Sequence, residues 1–197
     1  MIKFFGRWDG EGVIVQDPGL KDYIILTPRL VPKRYGRFAS NRFHKSKCSI
    51  VERLVNKVMV PGHKAKKHKA SSGHITGMNI QALRIVEKAF EIIEQRTKQN
   101  PLAVFAKAVE NGAPREEIVA IEYGGARYPK AVECAPQRRI DLVMRYVTQG
   151  AYQKAFKKKK SISETLADEI LAASAMKSES NVLAKKHDLE RQADASR

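Results

Sequence analysis

The chain has 197 residues, enough for one domain with a hydrophobic core, and its 43% of hydrophobic residues excludes a disordered chain. Its formal net charge of +16 indicates a polyanionic partner, because so large an excess of one sign repels itself within a compact fold. Twelve Lys or Arg and one acid fall within residues 31–72, whereas residues 1–30 carry no net charge. Phosphates are the expected counter-charge of that basic segment, and a basic protein without a nucleic-acid role is the alternative.

Residues 1–30 contain aromatic and β-branched clusters that Gly and Pro interrupt. This pattern predicts an N-terminal extension in extended conformation, with a short strand at Val13–Val15, and not a separate domain. We expect Phe4, Phe5 and Trp8 to pack the extension against the body of the protein.

Residues 31–48 show neither a helical nor a strand period, and basic residues alternate there with aromatic ones. We interpret this segment as a basic RNA-binding arm, because guanidinium groups and aromatic rings can stack on bases as well as contact phosphates. A flexible surface loop is the alternative interpretation. The candidate RNA contacts of the arm are Lys33, Arg34, Arg37, Arg42, Lys45 and Lys47.

Residues 49–197 are predicted to form a single helical domain, because apolar residues recur there at helical spacing. Pro61–Gly62 should end the first helix and Gly112 the third. The expected fold class is mainly α: a bundle of about six helices with a protruding two-stranded β-hairpin arm and the extended N-terminal extension. The predicted helix starts lie at or near Ser49, Asn79, Asn100–Pro101, Pro136, Ser161 and residue 181.

The hairpin is predicted at about residues 117–133, where two short apolar runs flank Gly124–Gly125. A two-residue turn at these glycines would place Glu122 opposite Arg127 and Ile121 opposite Tyr128. Pro129 cannot donate to a central ladder, so the ribbon should stand away from the core. A two-stranded ribbon is weak alone, and we therefore expect its tip to be ordered by a partner.

The helix that begins near Pro136 has an unusual first turn, which contains Gln137, Arg138 and Arg139. Cations are unfavourable at this end, because the N-terminus of a helix dipole attracts negative charge. We therefore expect the two arginines to contact an anion from outside the protein.

Motifs of catalysis are absent from the sequence. There is no phosphate-binding glycine loop, no G-x-G-x-x-G and no nucleophile elbow, and neither the histidines nor the two cysteines have zinc-site spacing. We expect no enzyme, no metal and no cofactor. Without a signal peptide or a membrane-spanning apolar run, we expect a soluble intracellular chain with Cys48 and Cys134 reduced, a single disulfide being the alternative.

Five long blocks of the chain carry a family resemblance. They are, in order, SIVERLVNKVMVPG, IVEKAFEIIEQRTKQNPLAVFAKAVENGAPREE, YGGARYPKAVECAPQRRIDL, KKSISETLADEIL and AKKHDLERQADASR. Together they cover nearly everything from residue 48 onward and resemble the universal small-subunit ribosomal protein seven family. The stretch FFGRWDGEGVIVQDPGLKDYI is similar to the N-terminal extension of the archaeal and eukaryotic branch, and IEYGGARYP most closely resembles the archaeal form.

The resemblance implies a cytoplasmic, structural constituent of the small ribosomal subunit with no membrane contact. It implies binding to the head (3′ major) domain of 16S-type rRNA and a role in head assembly. It also implies a hairpin near the exit-site tRNA and the mRNA path, and contact with neighbouring ribosomal proteins, including small-subunit protein eleven. Residues 63–78 form a longer loop than is typical of the family, so family contacts do not transfer reliably to that loop.

The matching blocks imply roles for individual residues. Besides the arm, the candidate rRNA contacts are Arg53, Lys57, Lys64, Arg138, Arg139, Lys158 and Lys160. The hairpin tip that would face tRNA and mRNA comprises Tyr123, Gly124, Gly125, Arg127 and Tyr128.

Two other classes of function fit the sequence less well. A free-standing basic DNA- or RNA-binding protein outside the ribosome could place the PQRRIDLVMRYV helix in a major groove, but the ribbon and the long basic arm do not suit a compact helix-turn-helix. An rRNA-modifying enzyme would need a cofactor or nucleophile signal, which the sequence lacks.

Overall fold

The protein is described by a computed structural model over residues 2–31, 35–38, 40–61 and 77–197. The helices of this part are α1 (Pro18–Lys21), α2 (Ile50–Val58), α3 (Asn79–Thr97), α4 (Pro101–Gly112), α5 (Pro136–Ala155), α6 (Ile162–Ser174) and α7 (Asn181–Asp194). Two short 3₁₀ helices, Tyr35–Phe38 and His44–Lys47, lie in the arm. The predicted mainly α class with a β-hairpin is confirmed, and six helices of nine or more residues make up the body.

Local capping explains where several helices begin. The side chain of Ser49 accepts a hydrogen bond from the backbone of Val51, and Asn100 does the same for Leu102 at the start of α4. Ser161, where a helix start is predicted, forms a capping box with Glu164 at the start of α6, each side chain accepting a hydrogen bond from the other's backbone N–H.

The core is arranged around α6, which contacts α3, α4, α5 and α7. The side chains of Leu166 and Ile170 on α6 are fully buried. Phe90 of α3 and Phe105 of α4 are also fully buried, and their ring centroids lie 5.8 Å apart. Burial of these large apolar side chains supplies the main stabilisation of the helical body.

The N-terminal extension packs on this body through aromatic side chains. Phe4 and Trp8 are buried, and the Trp8 ring meets the Phe90 ring edge-on at 5.9 Å. The strand predicted at Val13–Val15 is wrong, because this stretch has no strand beside it in the described part of the chain. The carboxylate of Glu110 on α4 accepts hydrogen bonds from the next two backbone N–H groups instead, at residues 16 and 17.

The β-ribbon pairs β1 (Glu116–Tyr123) with β2 (Ala126–Glu133) in antiparallel register. Glu122 lies opposite Arg127 and Ile121 opposite Tyr128, as predicted. Gly124 and Gly125 both have positive φ, 58° and 82°, which is what a two-residue hairpin turn of this type requires. Residues 121–130 are all exposed, so the ribbon projects from the body.

The C-terminal helix α7 supports the base of this ribbon. Glu190 of α7 accepts a hydrogen bond from the backbone N–H of Arg115, just before β1, at 3.1 Å. Beyond α7, Arg197 donates to both carboxylate oxygens of Glu116. The direction of the ribbon therefore depends on how α7 is seated.

Glu169, on α6, is a carboxylate with no exposed surface. It accepts hydrogen bonds from Lys154 Nζ at 2.6 Å, from Ser180 Oγ at 2.9 Å and from the backbone N–H of Val182 at 3.1 Å. These donors belong to α5, to the residue before α7 and to the first turn of α7. One buried charge thus joins the last three helices.

The two arginines at the start of α5 pair with carboxylates of the chain itself, which explains their place without an external anion. That they also contact rRNA stays a prediction. Arg139 is buried; its guanidinium donates to Asp17 Oδ2 at 2.8 Å and to the carbonyl of Pro114 at 3.1 Å. Arg138 is exposed and donates to Glu117 Oε2 at 2.6 Å. Asp17 belongs to the N-terminal extension and Glu117 to the ribbon.

Replacing Glu169 by Ala should lower the free energy of unfolding by about 3 kcal/mol or more, because the Lys154 ammonium and two further donors lose a buried acceptor. Urea denaturation followed by circular dichroism measures this loss. Asp168→Ala is the matched control on the neighbouring residue, whose ion pairs are partly exposed, and should cost less than about 1 kcal/mol. Equal losses in the two variants would contradict the role given to Glu169.

Arg139→Ala and Arg138→Ala should differ in stability although the residues are adjacent. Loss of the buried Arg139 strips Asp17 of its partner and should cost about 2 kcal/mol, whereas loss of the exposed Arg138 pair should cost less than about 1 kcal/mol. Thermal and urea unfolding of the two single variants test this difference. A large loss for Arg138→Ala with none for Arg139→Ala would reverse the assignment.

Candidate nucleic-acid interface

Four cations surround a single carboxylate where the arm meets helices α2 and α5; we call Lys45, Arg53, Lys57 and Arg145 the α2–α5 cation cluster. Arg53 Nη2 donates to Asp141 Oδ1 at 2.9 Å, and Lys45 forms an ion pair with the other carboxylate oxygen of Asp141. With one carboxylate among four cations, the cluster keeps a strong excess of positive charge.

Burial and the charges of the cluster shift the pKa values of two residues here, Lys57 and Asp141. Burial lowers the pKa of Lys57, and the charge of nearby Arg145 lowers it further. Burial alone would raise the pKa of Asp141, but its hydrogen bonds and the charges of Lys45 and Arg53 outweigh burial and hold that pKa below its usual value. An anion that approached Lys57 would therefore favour its charged form.

Arg53, a candidate rRNA contact, is buried on α2. Almost every residue of α2 is buried, and only 7% of Arg53 is exposed. Its Nη1 atom is buried and has no hydrogen-bond partner among the described residues. It lines a cavity of about 20 Å³, together with Phe38, Lys45 and Met144. That volume holds a water molecule and not a phosphate.

The arm is held to the start of α5. Ser46 Oγ donates to the side-chain oxygen of Gln137 at 2.8 Å, and Arg29 donates to the carbonyl of Lys47 at 2.9 Å. Phe43 is 65% exposed, and the Arg42 guanidinium lies 5.6 Å from its ring centroid. An exposed ring beside a guanidinium is the combination that stacks on unpaired bases.

A second basic surface follows α5. Lys158 and Lys159 are exposed and make no ion pair within the described ranges. Lys160 is also exposed, and its ammonium lies 3.6 Å from a carboxylate oxygen of Asp168, on α6.

The tip of the ribbon carries the residues expected there, and it is open to solvent. Tyr123 is 81% and Tyr128 59% exposed. The register places these two tyrosines on the same face, with Ile121, while Glu122 and Arg127 form a weak 3.5 Å ion pair on the other face. The tip is therefore apolar and aromatic on one side and charged on the other.

The structure brings some of the candidate RNA-contact residues together and separates others. Lys45, Arg53 and Lys57 come together, whereas Arg139 is used inside the fold. Sequence reasoning missed Arg145 and its neighbour Asp141, although Arg138, Asp141 and Arg145 recur at i, i+3 and i+7 on one face of α5, a spacing that identifies a polar stripe. Lys33, Arg34 and Lys64 lie outside the described residues, as does the side chain of Arg37.

Other chemistries find little support in the described ranges. They contain no group of three or more His, Cys, Asp or Glu side chains that could hold a metal ion.

Both cysteines are free. Cys48 Sγ donates a hydrogen bond to Glu52 Oε2 at 2.9 Å, and burial, together with this bond, raises the pKa of the Cys48 thiol. Burial raises the pKa of Cys134 to about 11. None of the described helices is both long and apolar enough to span a lipid bilayer.

Comparison with known proteins identifies the family. Residues 20–197 match the sequence profile of the family described as ribosomal protein S7p/S5e. The small ribosomal subunit protein uS7 of Nanoarchaeum equitans is 53% identical over 196 residues, covering 100% of this chain and 99% of its own length. Those of Methanosphaera stadtmanae and Archaeoglobus fulgidus are 50% and 46% identical, covering 96% and 98% of this chain and 96% and 94% of their own. The resemblance to the archaeal form is confirmed, and the chain belongs to the S7p/S5e family of ribosomal proteins.

Proposed function

We propose that the chain is a structural constituent of the small ribosomal subunit that binds the head (3′ major) domain of 16S-type rRNA, helps to organise the head and performs no catalysis. Family membership supports the coarse statement, a cytoplasmic ribosomal protein of the small subunit. The observation that carries the RNA-binding role is the α2–α5 cation cluster, in which one carboxylate faces four cations.

The cluster binds RNA through phosphates. Asp141 pairs with Arg53 and Lys45, and its single negative charge leaves the cluster as a whole with an excess of positive charge. Two phosphates of a folded RNA supply the missing negative charge, and the counterions that they release make binding weaken steeply as salt rises. Lys57 gains most, because burial in the free protein disfavours its charged form.

Recognition of a folded RNA uses several separate surfaces on one rigid body. The cluster and the lysines after α5 contact phosphates, while Phe43 with Arg42 contacts unpaired bases. Arg138 joins these contacts from the exposed side of its pair with Glu117. Arg53 and Arg139 act indirectly: they hold the elements that present the other cations.

The ribbon extends away from the rRNA-binding body toward the exit-site tRNA and the mRNA path. Its turn of two glycines brings the backbone close to nucleic acid, and Arg127 contributes a charge that its 3.5 Å pair with Glu122 holds only weakly. The exposed face of Ile121, Tyr123 and Tyr128 offers stacking or apolar contact to RNA or to neighbouring ribosomal proteins, including small-subunit protein eleven.

A filter-binding comparison tests the RNA-binding role. The full chain should bind a head-domain rRNA transcript more tightly than duplex DNA of equal length at matched salt. The double variant Lys57→Ala/Arg145→Ala should weaken rRNA binding and reduce the slope of log affinity against log salt by about 1.8, at about 0.9 per lost phosphate contact. Lys107→Ala, which removes an exposed lysine of α4, is the control and should leave both quantities unchanged. Equal affinity for rRNA and duplex DNA would favour the free-standing nucleic-acid-binding protein instead.

Arg127→Glu should spare rRNA binding and lower the occupancy of exit-site tRNA in reconstituted subunits, because a like charge then faces the tRNA backbone. Binding of labelled deacylated tRNA measures the effect. Glu122→Gln, which breaks the same ion pair but keeps the arginine, should behave as the unaltered chain does. Failure of Arg127→Glu to assemble into subunits would show that the ribbon tip is needed for assembly itself.

A further inference from the structure

An apolar cavity of about 280 Å³ lies between helices α2, α3, α5 and α6, away from the contacts of the cation cluster. It is larger than a single nucleobase. Its walls are almost entirely hydrocarbon and aromatic, and they include Val58, Ile85, Ala151, Tyr152, Phe156 and Leu166.

Two aromatic rings form one wall of the cavity. The rings of Tyr152 and Phe156 are stacked, with centroids 5.6 Å apart and planes inclined by 29°. Tyr152 is 9% exposed, whereas Phe156 is 47% exposed, so the stack ends in a ring that the described residues leave about half exposed. An open end of an aromatic stack is a platform on which another flat ring can lie.

The mouth of the cavity is strongly basic. Phe156 is followed at once by four lysines, Lys157–Lys160, of which only Lys160 has a carboxylate partner within the described ranges. The Lys157 ammonium lies 5.6 Å from the centroid of the Phe156 ring. Lys157 also has a positive φ of 56°, an uncommon conformation for a residue with a side chain, which turns the chain sharply at this point.

We propose that this cavity receives an unpaired nucleobase of RNA, stacked on Phe156, while Lys157, Lys158 and Lys159 hold the phosphates on either side of that nucleotide. The inference rests on the proposed RNA-binding function and adds a defined binding site to it. The base would take the place of the Lys157 ammonium at the ring, and that ammonium would turn to a phosphate.

A nucleotide suits the site better than an apolar side chain of another protein. A leucine or phenylalanine would fill the apolar cavity but would leave the adjacent unpaired lysines without a counter-charge. A nucleotide combines a flat ring with a phosphate a few ångströms away, and the Lys157 ammonium lies 5.6 Å from the centroid of the exposed Phe156 ring. Stacking requires no particular base, so the site should tolerate differences in RNA sequence.

The test measures binding of the full chain to a deproteinised head-domain rRNA transcript. Phe156→Ala and Phe156→Leu should each weaken binding about 5- to 150-fold, the range for loss of one base-stacking ring, whereas Phe156→Trp should bind as the unaltered chain does. The salt dependence should not change in these variants, because no charge is removed. Lys158→Ala/Lys159→Ala should instead reduce the salt slope by about 1.4, at about 0.7 per phosphate of a single strand.

Two controls show whether a loss of binding arises from misfolding and whether it is specific to Phe156. Circular dichroism should show unchanged helicity in the Phe156 variants, because the ring is half exposed. Ile14→Ala, which removes an equally apolar and more exposed side chain from the N-terminal extension, should not alter RNA binding. Ultraviolet cross-linking at 254 nm should join the peptide that contains Phe156 to a nucleotide of the transcript.

The outcomes are distinguishable. If the unaltered chain does not bind the transcript, the proposed function fails and this inference fails with it. If the unaltered chain binds and Phe156→Ala binds equally well, only the nucleobase site is wrong. If Phe156→Ala and Phe156→Leu bind the transcript normally but do not remain in subunits reconstituted with all proteins, the cavity accepts a protein side chain and the nucleobase proposal is overturned.

Discussion

The C-terminal half of the structure depends on the hydrogen bonds to the buried carboxylate of Glu169. This carboxylate has no access to water, and three donors from α5 and the start of α7 converge on it. A buried charge tolerates little displacement of its partners, because each lost hydrogen bond leaves an uncompensated group. Since α7 is seated by this carboxylate and in turn contacts the strand that opens the ribbon, the placement of the projecting arm depends on a residue in the core.

The distribution of free positive charge follows from which cations the fold neutralises. Arg139 and Arg53 are directed inward to Asp17 and Asp141, and each joins elements that are distant in sequence. Lys158 and Lys159, after α5, are exposed and make no ion pair in the part of the chain that the structure describes. The net charge of +16 already subtracts every acidic residue, so it measures the excess that a polyanion can meet but not where on the surface that excess lies.

Local chemistry was predictable from the sequence, and distant pairing was not. The capping box at Ser161 and the hairpin turn at Gly124–Gly125 involve residues within four positions of one another, so the helix start and the ribbon register could be predicted. Arg139 pairs with Asp17, 122 positions away, and nothing in either segment identifies its partner. Val13–Val15 has the composition of a strand, but a strand also needs a neighbouring strand, and none lies beside it in the described part of the chain; the Glu110 carboxylate instead holds the next two residues.

The projecting ribbon also has a consequence for the newly synthesised chain before it is assembled. Neither edge of the ribbon has a neighbouring strand among the residues that the structure describes, and one face is apolar at Val119, Ile121 and Tyr123. Such edges invite intermolecular strand addition and aggregation. Pro129 removes one donor from an edge, and the lysine at position 130 adds a charge beside the apolar face, two devices that oppose self-association. They give the free chain partial protection during the interval between synthesis and incorporation.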